Sequence, residues 1–102
     1  MKKAEIGIYK NYKEYFAFGI SGYRMKEIKD EDKYTLAFKI RDKLNKKKIK
    51  SCFIRPFKNG DAGHYLPTKY DLEEIAKTIS YYKNLEIKIN NNFYTRKCQT
   101  NQ

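Results

Sequence analysis

The two halves of this chain share a pattern of elements at a shift of 36 residues, without a gap. Lys33-Tyr34-Thr35-Leu36 recurs as Lys69-Tyr70-Asp71-Leu72, and each segment opens a stretch with the apolar spacing of a helix. The apolar run Phe16-Ala17-Phe18 falls on Cys52-Phe53-Ile54 at the same shift. Few identical residues accompany these matches, so the likeness lies in the order of elements. It predicts a fold built from two similar strand–helix units.

Hydrophobic periodicity predicts five strands and two helices. Strands are indicated where apolar and polar residues alternate, and helices where apolar residues recur on one face every three to four positions. Asp30 or Asp32 can cap the first helix and Thr68 the second, and Asn84 suits a left-handed helix end. The predicted strands cover residues 4–10, 14–20, 50–57, 85–89 and 93–97, and the predicted helices run from 32 to about 46 and from 68 to 84.

The order β-β-α-β-α-β-(β) predicts one two-layer α/β (α+β) domain over residues 1–97, with both helices on one face of the sheet. Its repeat units would be about 13–48 and 49–85. Residues 58–64 have the composition of a flexible loop. The polar end 98–102 is expected to be mobile.

Composition excludes several classes of protein. A hydrophobic content of 40% with 16% aromatic residues indicates a folded globule rather than a disordered tail. No apolar run approaches the ~20 residues of a membrane span. The first six residues contain no apolar segment of a signal peptide. We therefore expect a protein that is made and works inside a cell.

Metal and cofactor chemistry lack the residues that they need. Cys52, Cys98 and His64 are the only Cys and His residues, whereas a structural zinc site uses four ligands. Cys52 stands in an apolar run typical of a buried thiol, and a disulfide with Cys98 is the alternative. We expect no metal site and no cofactor.

Catalytic groupings are also weak. Gly60 and Gly63 have the spacing of the glycine loop of KH domains, but Asp61 stands where a basic residue would be expected. Asp61 and His64 could act as a base and its orienting partner, yet no nucleophile shares their segment. The sequence therefore predicts a protein that is not an enzyme and has no catalytic residues.

Charge and aromatic content indicate a binding surface. The net charge of +11 favours an anionic partner, but all except four of the 23 basic residues are lysine, which is less suited than arginine to bidentate recognition. The lysines that end the first helix also suit the negative end of its dipole. Ten Tyr and six Phe exceed what a small core needs. The tyrosines predicted on polar faces or in loops are Tyr9, Tyr12, Tyr15, Tyr23, Tyr65, Tyr81, Tyr82 and Tyr94.

The chain is small, is rich in Lys, Ile, Tyr and Asn, and contains no diagnostic motif, which together define its overall style of composition. In this style it resembles the small orphan proteins of filamentous viruses that infect hyperthermophilic archaea. The resemblance implies high stability and work in the cytoplasm of a host cell, and it implies no activity.

The favoured function is non-catalytic binding of an extended peptide or protein segment, viral or host, in the groove between the two units. Exposed strand edges can accept a further strand, and tyrosines add contact area. The alternative is sequence-independent nucleic-acid binding through lysine clusters with tyrosine stacking. No membrane is involved in either, and strand edges also allow a homo-oligomer. The candidate binding residues are Lys46, Lys47, Lys48, Lys50, Tyr15, Arg55, Tyr81 and Tyr82.

Overall fold

The computed structural model describes residues 2–10, 16–28, 32–65 and 71–90, without the side chains at 9, 10, 51–54 and 71. The elements are β1 (Lys2–Lys10), β2 (Phe16–Ser21), α1 (Lys33–Lys46), β3 (Ser51–Phe57), β4 (Gly60–Tyr65), α2 (Asp71–Lys83) and β5 (Leu85–Ile89), with a short 3-10 helix (Met25–Glu27) between β2 and α1. The α+β class and the predicted order of helices and strands are confirmed, with β4 as an additional strand.

The five strands form one mixed sheet in the order β3-β4-β2-β1-β5. All neighbours are antiparallel except β1 and β5, which are parallel. Consequently β2 and β3 run parallel with β4 between them, and α1 connects them. β4 and β5 also run parallel, with β2 and β1 between them, and α2 connects them. This is the β-α-β-β-α-β succession of the split β-α-β, or ferredoxin-like, motif. β1 is inserted between β2 and β5.

One core lies between the sheet and the two helices. Ile6, Phe18 and Ile20 belong to the same buried cluster as the apolar stripes of both helices, so α1 and α2 cover the same face, as predicted. The buried helix residues are Leu36, Ala37, Ile40 and Leu44 on α1 and Leu72, Ile75, Ala76 and Ile79 on α2. Because strand side chains alternate, the other set of residues points to the opposite face of the sheet, which we call the distal face. Its members include Lys3, Glu5, Arg55, Phe57, Ala62, His64, Glu86 and Lys88.

The ends of α1 follow from local chemistry. Asp32 caps its start, because the carboxylate accepts hydrogen bonds from the backbone N–H groups of Tyr34 at 2.9 Å and Thr35 at 3.1 Å. Lys48 ends it in the left-handed region, with φ of 67°. The Ile49 N–H then donates to the Leu44 carbonyl at 3.0 Å, as in a Schellman motif. Ile49 is buried, so this turn anchors the chain that enters β3.

The end of α2 was also predictable, since Asn84 takes the left-handed conformation with φ of 53°. β5 begins at the next residue, and the Ser80 hydroxyl donates a hydrogen bond to the Leu85 carbonyl across the turn. The predicted Thr68 cap, the predicted strand 93–97 and the C-terminal end 98–102 lie outside the described residues. A duplication at the 36-residue shift stays a prediction.

The prediction of a flexible loop at 58–64 is wrong. A two-residue turn at Lys58 and Asn59 leads into β4, which pairs with β3 on one side and β2 on the other. Gly, Asp and Ala have weak β-propensity, so the residues of β4 do not favour a strand by themselves. The backbone hydrogen bonds to β3 and β2 stabilise it as one. Gly60 has φ of 147°, and a Cβ atom there would lie 1.7 Å from the Ile20 carbonyl oxygen. Only glycine therefore fits at this start of the strand.

Candidate nucleic-acid interface

The solvent side of α1 carries aromatic and cationic side chains in two stripes. Tyr34, Phe38 and Arg41 are spaced by four and three residues, which places them on one flank of the helix. Lys39, Lys43 and Lys46 have the same kind of spacing on the other flank, and all three are exposed. We call these six residues, together with the exposed Lys48 and Lys50 that follow the helix, the α1 surface.

The aromatic rings of the α1 surface are open to solvent. Tyr34 is 49% exposed and Phe38 is 46% exposed, and the two rings are neighbours on the same flank of the helix. Each ring has a cation beside it, with the Arg41 guanidinium carbon 4.9 Å from the Phe38 centroid and the Lys33 ammonium 5.7 Å from the Tyr34 centroid. Contacts between a cation and a ring at these distances are attractive, so they favour this arrangement of both groups at the surface.

The charge of this region is almost entirely positive. Residues 32–50 contain seven lysines, one arginine and two aspartates. Asp32 is engaged with the first turn of α1, and Asp42 accepts a hydrogen bond from Arg41 at 3.3 Å. Because the eight cations in these residues outnumber the two carboxylates, the region presents a positive potential to an approaching anion.

The predicted lysine cluster divides into two groups. Lys46, Lys48 and Lys50 are exposed, whereas Lys47 is half-buried and connects the two helices. The Lys47 ammonium lies 3.6 Å from the Glu74 carboxylate and 3.3 Å from the Thr78 hydroxyl. Lys47 thus belongs to the packing of α1 against α2, and its contacts bridge the seam where a peptide groove was predicted.

The remaining predicted residues lie on other surfaces. Tyr81 and Tyr82 stand on α2, with Tyr81 81% exposed and the two rings in an edge-to-face contact at 5.2 Å. Arg55 lies on the distal face, 5.3 Å from the Phe57 ring. Tyr15 lies outside the described residues. The predicted residues therefore fall into separate groups, of which the exposed lysines at the end of α1 form one and Tyr81 with Tyr82 on α2 form another.

Two tyrosines expected at the surface are buried. Tyr23 is 3% exposed and its hydroxyl donates a hydrogen bond to the Asp61 carboxylate. Tyr65 packs against Phe16 and Phe18, with ring centroids 5.8 and 6.1 Å away. Their burial depends on contacts distant in the sequence: Tyr65 is placed by the pairing of β4 with β2, and Tyr23 contacts Asp61, 38 residues away.

Asp61 and His64 do not form a catalytic pair. They are three residues apart on β4 and therefore point to opposite faces of the sheet. Asp61 is buried beside Lys83, whereas His64 is exposed on the distal face.

Within the described ranges no group of three or more His, Cys, Asp and Glu residues is arranged to hold a metal ion. Neither α1 nor α2, at 14 and 13 residues, is long and apolar enough to cross a membrane.

The aromatic members of the α1 surface were missed in the sequence. Tyr34, Phe38 and Arg41 repeat at helical spacing on a flank away from the buried stripe of α1. An exposed aromatic pair at i and i+4 on a basic helix is the pattern that identifies them.

No protein-family model matches the sequence, and comparison with curated proteins and with solved structures yields no match. The resemblance to archaeal viral proteins therefore stays a prediction.

Proposed function

We propose that this protein binds nucleic acid without sequence preference, through the α1 surface. The observation that carries the proposal is the pair of exposed rings, Tyr34 and Phe38, within a surface of six exposed or half-exposed cations. Backbone phosphates pair with lysine as a point charge, which needs no bidentate geometry and carries no sequence information. Exposed rings stack on any base.

A single strand fits this arrangement better than a duplex. Bases in a duplex are stacked on one another, so exposed rings contribute only when the bases are free. The 14-residue helix is about 21 Å long, so the lysine flank can contact a short run of phosphates while the rings stand on the other flank of the same exposed side. Binding is therefore expected to favour unpaired strands and to be indifferent to their sequence.

The salt dependence of binding tests the electrostatic part. If four or five of the cations contact phosphates, the logarithm of the binding constant should fall with the logarithm of salt concentration with a slope of about −3. Fluorescence anisotropy with labelled single strands of different sequence, titrated at several salt concentrations, measures this slope. Absence of binding at low salt, or binding that is insensitive to salt, would contradict the proposal.

Two variants separate the roles of charge and stacking. Lys43→Gln with Lys46→Gln should reduce the salt slope by about 1.4, since each lost phosphate contact removes about 0.7. Tyr34→Ala with Phe38→Ala should weaken binding at least tenfold while leaving the slope unchanged, because stacking of a base contributes about 1–3 kcal/mol.

The matched control removes two cations from the distal face. Lys3→Gln with Arg55→Gln lowers the net charge by the same amount as the lysine variant, but on the other side of the sheet. An equal loss of affinity in the control would show that binding follows net charge alone. In that case the α1 surface would not be the nucleic-acid binding site.

Capture of an extended peptide or protein segment is the second proposal. The observation in its favour is a cleft of about 490 Å³ formed by β1, β5 and the end of β2. Its lining combines apolar Ala4 and Ile87 with the charged Lys3, Glu86 and Lys88. A peptide array probed with the labelled protein tests it, and Lys3→Ala with Lys88→Ala, which remove two cations from the cleft lining, should abolish any specific spots. Spots that persist in this variant would locate peptide binding elsewhere.

A further inference from the structure

β5 is an edge strand of the sheet formed by the described residues. In the part of the chain that the structure describes, β5 is paired with β1 alone. The other edge strand, β3, carries Pro56, a residue that cannot donate to a ladder and is typical of protected edges. β5 contains no proline, and Ile89 on it is 36% exposed.

The backbone direction of β5 is fixed by its pairing with β1. The Asn90 N–H donates to the Ile6 carbonyl at 2.8 Å, so residues of even number in this stretch point their N–H and C=O groups toward β1. Leu85, Ile87 and Ile89 consequently point these groups outward. The outward groups are the ones that an additional strand would bond.

The sequence of β5 is complementary to itself in the antiparallel direction. Centred on Ile87, an antiparallel partner copy places Ile87 opposite Ile87 and Leu85 opposite Ile89. These are the pairs whose backbone groups point outward, so each is a hydrogen-bonded pair. Glu86 of one protomer then stands opposite Lys88 of the partner subunit. Such non-hydrogen-bonded positions bring side chains closest together.

We propose that two copies of this chain associate through β5 in this register, as a two-fold symmetric dimer. The distal face adds support, because Lys3 pairs with Glu86 and Glu5 with Lys88 in the β1–β5 register. Across the dimer seam the charges therefore alternate in sign, from Lys3 to Glu86 to the partner's Lys88 to the partner's Glu5. A parallel in-register pairing, or an antiparallel pairing centred on Glu86 or Lys88, would set like charges opposite each other.

The two-fold axis of this pairing is perpendicular to the sheet, so both helical layers lie on the same side of the joined sheets. A groove of about 330 Å³ between α2 and β5 borders the seam, and pairing would cover it. The groove is lined by Glu73, Ala76, Lys77, Ser80, Ile87 and Ile89. The α1 surfaces of both copies would also face the same side.

Charge reversal at the seam tests the dimer. Glu86→Lys makes both seam charges positive, and Lys88→Glu makes both negative, so each variant opposes its own pairing. Each should raise the dimer dissociation constant roughly tenfold or more, since two attractive cross-strand pairs become repulsive. Mixed in equal amounts, the two variants are complementary, and the mixture should form a heterodimer. Sedimentation equilibrium over a wide range of concentrations measures all of these states.

Formation of the heterodimer in the mixture separates charge repulsion at the seam from misfolding, because a misfolded variant would not associate with the other variant. Circular dichroism of each variant alone checks the fold independently. Wild-type protein that stays monomeric at several hundred micromolar overturns the proposal. Dimerisation that is equal in wild type and in both single variants also overturns it.

Discussion

The ion pair between Asp61 and Lys83 gives the sharpest prediction about stability. The Lys83 ammonium lies 2.6 Å from the Asp61 carboxylate, and both side chains are completely shielded from solvent. Lys83→Met keeps the length and apolar stem of the side chain but removes its charge. The carboxylate would then be left buried with the Tyr23 hydroxyl as a neutral donor.

Removing one member of a buried ion pair costs about 3–5 kcal/mol, because the other charge stays in the protein interior without compensation. One Asp61 oxygen already has no hydrogen-bond partner among the described residues, so local rearrangement offers little relief. A domain of this size has about 5–15 kcal/mol of stability in total. We therefore expect Lys83→Met to lower the melting temperature by roughly 12 °C or more.

Urea denaturation followed by circular dichroism measures the loss. Lys77→Met is the matched control, because Lys77 is on the same helix, its side chain is 75% exposed, and its ion pair with Glu74 is a surface contact. The control should cost less than about 1 kcal/mol. Asp61→Asn combined with Lys83→Met should cost less than the sum of the two single changes, since it removes both charges. A Lys83→Met protein within 1 kcal/mol of wild type would refute the reasoning.

Three further changes probe the backbone and the acid stability. Lys48→Gly should raise stability by about 0.5–1 kcal/mol in urea melts, since glycine adopts the left-handed conformation without strain. Gly60→Ala should lower the free energy of unfolding by roughly 3 kcal/mol or more, and by more than Gly22→Ala does. The new methyl group at position 60 would lie 1.7 Å from the Ile20 carbonyl oxygen, whereas the nearest atoms to a methyl group at position 22 are 3.2 Å away. A hydrogen bond from the Arg24 backbone N–H, aided by Lys2, holds the pKa of Glu27 below its ordinary value of 4.5. Its contribution is complete at neutral pH and declines as the pH falls below 4.5, so the stability cost of Glu27→Gln in urea melts should be largest at pH 7 and shrink progressively in acid.

The parts of the fold that sequence reasoning predicted are those with a local cause. The Asp32 cap and the apolar stripe define α1 within one residue, and Asn84 marks the end of α2. β4 was missed because its pairing partners, not its own residues, make it a strand. The buried Tyr23 was missed for the same reason, since its partner Asp61 is 38 residues away.

The candidate site was predicted in part. A run of lysines at the end of α1 is visible in the sequence, and Lys46, Lys48 and Lys50 are exposed there. The inward role of Lys47 depends on the crossing of α1 and α2, which no local pattern specifies. Tyr34 and Phe38 are visible from helical spacing, whereas the tyrosines predicted at the surface were those of other polar faces and of loops.

The insertion of β1 between β2 and β5 has a consequence for the time course of folding. Among the described strands, β5 pairs with β1, which lies more than eighty positions earlier in the chain. During synthesis, β1 can pair with β2 soon after both leave the ribosome, while its other edge waits for the last described strand. Sheet closure is thus a late, long-range step with a high entropic cost of loop formation. Until then the hydrogen-bonding edge of β1 stays open to wrong partners, so nascent chains that are stalled before residue 85 should be the aggregation-prone species.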